Sequence, residues 1–368
     1  MEGEERVKGE ASPFLPLFPF LPFPRFSPSP SFPFPLPRRH LPAMNLTDPQ
    51  QLAVAVRERN RRAAARAITR IENGLAGADT LVDALYPHTG RGWRIGITGP
   101  PGAGKSTLTD RLIAHFRAAG QTVAVVAVDP SSPFTGGALL GDRVRLSDTY
   151  DDGVFYRSLA ARGAGGGLSE ATEAACDVLD AAGYDVVLIE TVGVGQGELD
   201  VAEAADTVAV VLVPESGDAI QAMKAGLMEI ADVFCVNKAD HPDANALVGA
   251  LRSMLRLRTP PAEAKEGAWT PPVVKTVATA AEGLDALAEA MQAHRAWLHA
   301  GDRWQTKREE RLRRRVHRLV QAAWRARFWT PEREAKLGEA VEALDAAELA
   351  PHALAVRILD GDDVRTRG

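Results

Sequence analysis

Apolar residues along this chain fall into two kinds of pattern, short continuous runs and longer stretches at helical spacing. The runs are rich in β-branched residues and bounded by turn formers, which is typical of strands buried on both faces. Helical stretches lie between them, and this alternation predicts an α/β fold with a mostly parallel central sheet flanked by helices. The predicted strands span residues 94–98, 122–128, 184–189, 207–213, 233–236 and 273–278.

Helical patterns also precede and follow this α/β region. Asp48, Pro49 and Gln51 have the character of a helix start, and the helix is predicted to run through residues 57–70, with a second one at 78–85. An apolar stripe from Leu312 to Phe328 predicts a long amphipathic helix, followed by helices at 331–348 and 350–358. We therefore expect helical segments at 44–90 and 301–368 around an α/β domain at 91–300.

The first 43 residues differ in composition from the rest of the chain. They hold 11 of the 25 prolines and 7 of the 12 phenylalanines, and prolines interrupt every apolar run. Proline at this density prevents a membrane-spanning helix, and the acidic start does not match a signal peptide. We expect a disordered extension at 1–43 and hypothesise that Met44 is the native start. An intact mass that includes residues 1–43 would contradict the second idea.

Charge and cysteine content narrow the choice of partners. The 368 residues carry a net charge of −5, so no global basic field attracts nucleic acid or an anionic membrane. A basic run at 307–318 is interrupted by Glu309 and Glu310, and we interpret it as the solvated side of an amphipathic helix. The two cysteines, Cys176 and Cys235, are too few for a disulfide framework and form no zinc pattern, which favours a cytoplasmic location.

The strongest local signal is the segment from Gly99 to Ser106, which reads Gly-Pro-Pro-Gly-Ala-Gly-Lys-Ser. It follows a predicted strand and opens a predicted helix, the context in which this spacing binds phosphate. We expect Lys105 to place its charge on the β and γ oxygens and Ser106 to offer its hydroxyl to Mg²⁺. The predicted phosphate-binding residues are Gly99, Gly102, Ala103, Gly104, Lys105, Ser106, Thr107 and, from a later segment, Gly193.

Acidic residues at the ends of two predicted strands are expected near the same metal. Glu190 and Asp129 each end an apolar strand, and parallel strands finish at the same edge of a sheet. Glu190 is one methylene longer than the more usual aspartate, so we expect it to act on Mg²⁺ through a water. The predicted magnesium ligands are Ser106, Asp129 and Glu190, and the predicted catalytic residues are Lys105, Glu190 and Asp129.

A guanine-reading pattern follows the strand at 233–236, where the chain continues Asn-Lys-Ala-Asp. A carboxylate accepts from both the ring N–H and the exocyclic amine of guanine, a donor pair that adenine lacks, while the asparagine fixes the loop. Its place after an apolar strand, well downstream of the phosphate loop, strengthens the signal. We predict that Asn237, Lys238 and Asp240 bind guanine.

Polar residues on two further segments are candidates for contacts that change with the bound nucleotide. Asp142 and Arg143 lie in a glycine-rich loop. Gln221 and Lys224 share one face of a predicted helix. For both pairs, the residues alone leave an ordinary solvated surface open as the alternative.

The chain from Leu52 onward resembles the methylmalonyl-CoA mutase-associated GTPases of the MeaB/ArgK type, which are SIMIBI-class P-loop GTPases. The order and spacing of the motifs agree with that family, and residues 1–43 have no counterpart in it. The resemblance is carried by residues 99–106, 128–133, 141–143, 157–163, 190–196, 214–218 with Gln221 and Lys224, and 237–240.

The resemblance implies a P-loop GTPase domain with helical appendages, of which the C-terminal one forms a homodimer. It implies GTP/GDP and Mg²⁺ as cofactors and hydrolysis of GTP to GDP and phosphate. The role would be that of a chaperone for an adenosylcobalamin-dependent acyl-CoA mutase, gating cofactor loading and protecting or reactivating the mutase. It also implies nucleotide- or partner-responsive roles for Asp142, Arg143, Gln196, Gln221 and Lys224.

One departure from the family pattern and three alternatives remain, of which the first, a non-enzymatic interaction protein, would be expected to lack an intact phosphate loop. The usual serine-alanine of the loop behind the base reads Thr276-Val277-Ala278, a contact that is mostly backbone. Gln196 does not stand at the usual place of a water-orienting glutamine, so we predict slow intrinsic hydrolysis that a partner accelerates. A metallochaperone-type GTPase would need a Cys/His cluster, which the sequence lacks. A kinase of a transport-system binding protein would need to transfer phosphate to protein.

Overall fold

The computed structural model describes residues 45–130, 150–161, 170–191, 197–214, 226–258, 267–344 and 351–360. The described residues from 45 onward belong to one compact unit. Its sheet has seven strands, which are β1 (Trp93–Thr98), β2 (Val123–Pro130), β3 (Val154–Ala161), β4 (Val186–Thr191), β5 (Thr207–Leu212), β6 (Val233–Val236) and β7 (Val273–Lys275). Their order is β3-β2-β4-β1-β5-β6-β7 and every pairing is parallel, which confirms the predicted fold class.

Helices cover both faces of the sheet. They are α1 (Pro49–Arg57), α2 (Arg61–Glu72), α3 (Ala78–Leu85), α4 (Lys105–Ala118), α5 (Glu170–Ala181), α6 (Gly197–Ala204), α7 (Leu227–Ile230), α8 (Ala244–Arg258), α9 (Leu284–His299), α10 (Arg303–Phe328), α11 (Pro331–Leu344) and α12 (Pro351–Asp360). One core contains residues of α4 and α9, and the other contains residues of α1 to α3, α5, α6 and α8. Successive strand residues alternate between the two cores, as Val125 and Val126 of β2 do.

The N-terminal helical segment differs from the prediction. The single helix predicted through residues 57–70 is two helices, because the chain turns at Arg59, whose φ is 59°. Asn60 then caps α2, its side chain accepting from the N–H of Ala63 at 3.0 Å. The residue at which the helix ends is an arginine rather than a glycine or proline, so the sequence lacks the usual signal of a helix end at this point.

β3 is an edge strand that the apolar pattern did not predict. It pairs with β2 along its whole length, yet it carries Tyr156, Arg157 and Ser158 in succession. Arg157 donates to Glu72 Oε2 at 2.8 Å and to Thr69 Oγ1 at 3.1 Å, which ties this strand to α2. The last predicted strand, 273–278, is shorter than expected, because the chain leaves the sheet after β7 and turns.

α10 presents its charged side to the protein body, the reverse of the prediction for the basic run. Lys307, Arg311, Arg315 and Arg318 form ion pairs with acidic residues of the body. The apolar stripe faces away from the body; its exposed members are Leu312, Val316, Leu319, Val320 and Trp324. Within the described ranges, no helix combines the length and apolar character needed to cross a membrane.

Candidate functional site

The predicted phosphate loop lies at the carboxyl edge of the parallel sheet, between the end of β1 and the start of α4. Two of its positions require glycine, because the backbone has a positive φ and a Cβ would collide with a neighbouring atom. Gly99 has a φ of 139°, and a Cβ there would stand 2.0 Å from Val211 O. Gly104 has a φ of 84°, and a Cβ there would stand 2.5 Å from Asn237 Nδ2. The loop therefore approaches β5 and the guanine-reading segment as closely as its backbone allows.

Lys105 is the first residue of α4, and its side chain is buried. Its Nζ donates to Gly99 O at 2.8 Å and to Pro100 O at 2.9 Å. The ammonium group is thus held inside the curve of the loop by main-chain acceptors. Phosphate oxygens are stronger acceptors for an ammonium group than neutral carbonyls, so a bound phosphate chain would compete well for this lysine. Thr107, in the first turn of α4, is exposed.

Ser106 and Glu190 lie next to Lys105. Ser106 Oγ donates to Glu190 Oε1 at 2.5 Å, which joins the first turn of α4 to β4. Burial raises the pKa of Glu190, while the hydrogen bond from Ser106 and the charge of Lys105 oppose that shift. A carboxylate held in this way gains from any additional cation beside it.

These oxygen donors fit a magnesium ion. Mg²⁺ prefers hard oxygen ligands and keeps several waters, so one hydroxyl and one or two carboxylates suffice. The backbone of Asp129 belongs to β2, two residues beyond Ala127, which is the register partner of Glu190 on β4. The side chain of Asp129 lies outside the part of the chain that the structure describes. A metal site would thus be built on α4, β4 and β2.

Asp110 and Tyr150 adjoin this site, and the sequence patterns did not single them out. The hydroxyl of Tyr150 donates to Asp110 Oδ1 at 2.8 Å. Burial raises the pKa of Asp110, and its charge in turn helps to raise that of Glu190. The pair joins residues 40 positions apart, so no short motif marks it.

Asn237 links the phosphate loop to the loop behind the base. The asparagine is buried at the end of β6, where its Nδ2 donates to Ala103 O at 2.9 Å. Its Oδ1 accepts from Thr276 Oγ1 and from the N–H of Ala278, both at 3.1 Å. A single side chain thus fixes the relative position of two loops that a nucleotide would have to contact together.

The other guanine-reading residues follow at once. Lys238 has a φ of 54°, a left-handed conformation that turns the chain out of the sheet, and Asp240 is exposed beyond it. Thr276 stands where the resemblance implied a serine, and its buried hydroxyl also lies 3.2 Å from Cys235 Sγ. The threonine hydroxyl is thus used to hold Asn237, a role that the sequence pattern did not assign to it.

Several predicted residues lie outside the described ranges. They are Gly193, which was expected to sense the γ-phosphate, and the expected switch residues Asp142, Arg143, Gln196, Gln221 and Lys224. The expected extension at 1–43 lies outside them as well. Among described residues, no three or more His, Cys, Asp or Glu side chains are grouped as a metal centre. Cys176 and Cys235 are buried and not joined in a disulfide.

Comparison with known proteins agrees with this geometry. The family described as methylmalonyl-CoA mutase-associated GTPase MeaB matches residues 64–333. A Pyrococcus abyssi protein is 44% identical over 310 residues, which are 84% of this chain and 95% of the relative. GTPase ArgK of Escherichia coli K12 is 37% identical over 260 residues, 69% of this chain and 78% of the relative.

A solved structure, that of an LAO/AO transport system kinase, superposes with a TM-score of 0.64 at 26% identity. The match covers 87% of this chain and 99% of the other. The family match spans the whole α/β domain and α10, and it includes both the phosphate loop and the Asn237 segment. The chain therefore belongs to the methylmalonyl-CoA mutase-associated GTPase family, MeaB, and is a P-loop GTPase that binds guanine nucleotides.

Proposed function

We propose that this GTPase is a chaperone of an adenosylcobalamin-dependent acyl-CoA mutase, with methylmalonyl-CoA mutase as the default client. GTP binding and hydrolysis would gate cofactor loading and protect or reactivate the mutase. The description of the family as mutase-associated supports this client. The observation that carries the catalytic part is the convergence of Lys105, Ser106 and Glu190 at the start of α4. A cytoplasmic location is part of the proposal, supported by the two cysteines that form no disulfide.

The reaction we propose is GTP + H₂O → GDP + phosphate, performed by positioning and charge rather than covalent chemistry. Lys105 would exchange its loop carbonyls for β and γ oxygens, and Asn237 and Asp240 would hold the base. Ser106 and Glu190, with Asp129, would hold Mg²⁺, which neutralises charge on the phosphate oxygens when bound. We expect slow intrinsic hydrolysis that the mutase accelerates.

The outward stripe of α10 supports the proposal of a homodimer. Val320 is 60% exposed and Trp324 58%, on a helix whose charged side is occupied by the protein body. A second copy of this chain is the occupant we propose for the stripe. Light scattering should give twice the chain mass, and Trp324→Glu should shift the population to monomer. Leu257→Glu, which changes an apolar residue that is 80% exposed on α8 rather than on α10, is the matched control and should stay dimeric.

The decisive experiment compares hydrolysis of GTP and ATP with Mg²⁺, each with and without an adenosylcobalamin-dependent mutase. We expect turnover specific for GTP that rises when the mutase is added, and loss of that turnover in Lys105→Ala. Turnover of GTP at the same rate with and without the mutase would contradict the chaperone role, although the protein would still be a GTPase. A preference for ATP would contradict the roles proposed for Asn237 and Asp240.

A kinase is the second candidate, because the superposable structure at 26% identity is that of a transport system kinase. Transfer would move the γ-phosphoryl group to a protein hydroxyl or carboxylate instead of to water. GTP labelled at the γ-phosphate, incubated with the transport-binding protein, separates the two functions. Label on the protein would favour the kinase, whereas label released only as inorganic phosphate would favour hydrolysis.

A further inference from the structure

Arg111, in the second turn of α4, donates hydrogen bonds to the loop that is expected to lie behind the guanine base. Its Nε donates to Ala278 O at 3.1 Å, and its Nη2 donates to Thr279 O at 3.1 Å. The two acceptors are consecutive carbonyls, so the planar guanidinium fork is used on both. This contact joins residues 167 and 168 positions apart, between the helix that begins with the phosphate-binding lysine and the base loop, residues 276–280.

The base loop is a short, closed turn. Val277 and Glu282 exchange two main-chain hydrogen bonds, at 3.0 and 3.2 Å, which close the turn. On the inner side the N–H of Ala278 donates to Asn237 Oδ1. On the outer side the carbonyl of the same residue accepts from Arg111. The peptide groups on either side of the Ala278 Cα are therefore fixed by side chains from two different elements.

The distance between the base loop and the phosphate loop matters because one nucleotide must reach both. The phosphate loop is continuous with α4, so a side chain of α4 that holds the base loop sets that distance directly. His115, one turn further along α4, lies 3.2 Å from Asp285 at the start of α9, the element that follows the base loop. One face of α4 thus carries the contacts that keep the base loop in register with the phosphate loop.

We propose that Arg111 is a positioning residue for guanine recognition. It acts through Ala278 and Thr279 rather than on the nucleotide, and it presets the spacing between the base and phosphate subsites. The inference extends the GTPase activity itself and does not depend on the identity of the client. It predicts that loss of the two hydrogen bonds from Arg111 weakens binding of the base and leaves binding of the phosphate chain unchanged.

The test uses three variants of the full chain, Arg111→Ala, Arg111→Lys and Arg117→Ala. Arg117 lies on the same helix and pairs with Asp151 at 2.7 Å, away from the base loop, so its variant is the matched control. For Arg111→Ala we expect KM for GTP to rise about tenfold, with kcat within about twofold of the parent. Arg111→Lys should recover part of the loss, because an ammonium group can keep one of the two bonds.

Inhibition by tripolyphosphate supplies the readout that a general loss of structure would not reproduce. This ligand engages the phosphate loop alone, so its inhibition constant should stay unchanged in Arg111→Ala while the preference for GTP over ATP shrinks. An unchanged KM, an equal weakening of tripolyphosphate, or the same change in Arg117→Ala would each overturn the proposal. Absence of GTP turnover in the parent chain would instead count against the GTPase activity.

Discussion

The two edges of the sheet both bury charged side chains, but they hold them in different ways. At the amino edge, buried Arg94 forms ion pairs with Asp177 at 2.7 Å and Asp180 at 3.5 Å. At the carboxyl edge, Lys105 is held by main-chain carbonyls and Glu190 by a serine hydroxyl. A phosphate oxygen or a metal ion can replace the latter partners at small cost, whereas replacing a carboxylate beside an arginine requires breaking a buried ion pair.

The amino edge uses its charges to assemble the protein. Asp180 accepts hydrogen bonds from the N–H groups of Gly90 and Gly92, at 2.7 and 2.8 Å, which shapes the chain as it enters β1. Asp206 accepts from the N–H of Arg94 at 2.9 Å and also pairs with Arg311 of α10. The lesson of the comparison is that buried charge marks a functional site only where its partners are ones that a ligand can displace.

The largest effect we expect comes from Arg94→Met at the amino edge. Removing the cation leaves Asp177 and Asp180 with less compensation in a buried place, so the free energy of unfolding should fall by about 3 to 5 kcal/mol. Urea unfolding measures this, and GTP turnover per folded molecule should persist. A loss below about 1 kcal/mol, in the range of an exposed pair, would break the comparison.

Lys105→Ala should show the opposite pattern at the carboxyl edge. Without the ammonium group, the charge that develops on the phosphate oxygens is less well neutralised, and GTP turnover should fall about a hundredfold or more. The urea midpoint should change less than for Arg94→Met, because the hydrogen bonds described above join the lysine to neutral loop carbonyls rather than to a buried carboxylate. Lys307→Ala, which removes a lysine that donates to Asp206 O at 2.7 Å, is the matched control and should keep full turnover.

The sequence predicted the carboxyl edge far better than the amino edge, for a physical reason. Phosphate binding needs a compact loop, so Gly99 to Ser106 carry the signal within eight neighbouring positions. The acidic residues that pair with α10 are distant in sequence, since Asp206 and Asp177 lie more than 100 residues from Arg311 and Arg315. No local pattern joins such partners.

The orientation of α10 shows the same limit. Apolar residues usually face a protein's own core, and that assumption placed the basic run on the solvent side. The assumption failed because acids on α5 and α6 offer α10 a charged surface, so that Arg315 and Arg318 turn inward. β3 was missed for a related reason, since Arg157 makes an edge strand look polar.

A pH titration sharpens the comparison, because a neutral histidine is built into the amino edge. Thr207 Oγ1 lies 3.0 Å from His294 Nδ1, and His294 Nε2 lies 3.2 Å from Asp232 Oδ1. Burial, reinforced by Lys307, lowers the pKa of His294 to about 3. Below pH 6.5 His294 binds a proton in the unfolded chain but stays neutral in the folded chain, so the free energy of unfolding decreases as the pH falls.

Between pH 6.5 and 5 we expect the free energy of unfolding to fall by at most about 2 kcal/mol from this group. Urea titrations at several pH values measure the slope. His294→Gln should flatten it, because an amide can bond to the Thr207 hydroxyl without titrating. Asp232, whose own pKa burial raises, contacts the histidine and adds to the slope of both proteins. Equal slopes would mean that the histidine does not titrate as the buried neutral group described here.

The smallest effect concerns Arg318, which bridges Glu173 on α5 and Glu203 on α6 near the far end of the α10 contact. The side chain is 40% exposed, so water and salt screen both pairs, and Arg318→Ala should cost about 1 kcal/mol at low ionic strength. The difference should shrink in 0.5 M salt, where the Debye length is about 4 Å, compared with about 30 Å at 0.01 M.

Arg313→Ala is the control for Arg318, since it removes an exposed arginine from the same helix without touching either acid. Neither variant should change KM for GTP, because both lie on the side of the molecule that assembles the protein. If Arg318→Ala lowers GTP turnover at constant stability, α6 transmits the state of α10 to the carboxyl edge of the sheet. The division of labour between the two edges would then be incomplete at α6, whose last turn contacts α10 through Glu203 and the carbonyl of Ala204.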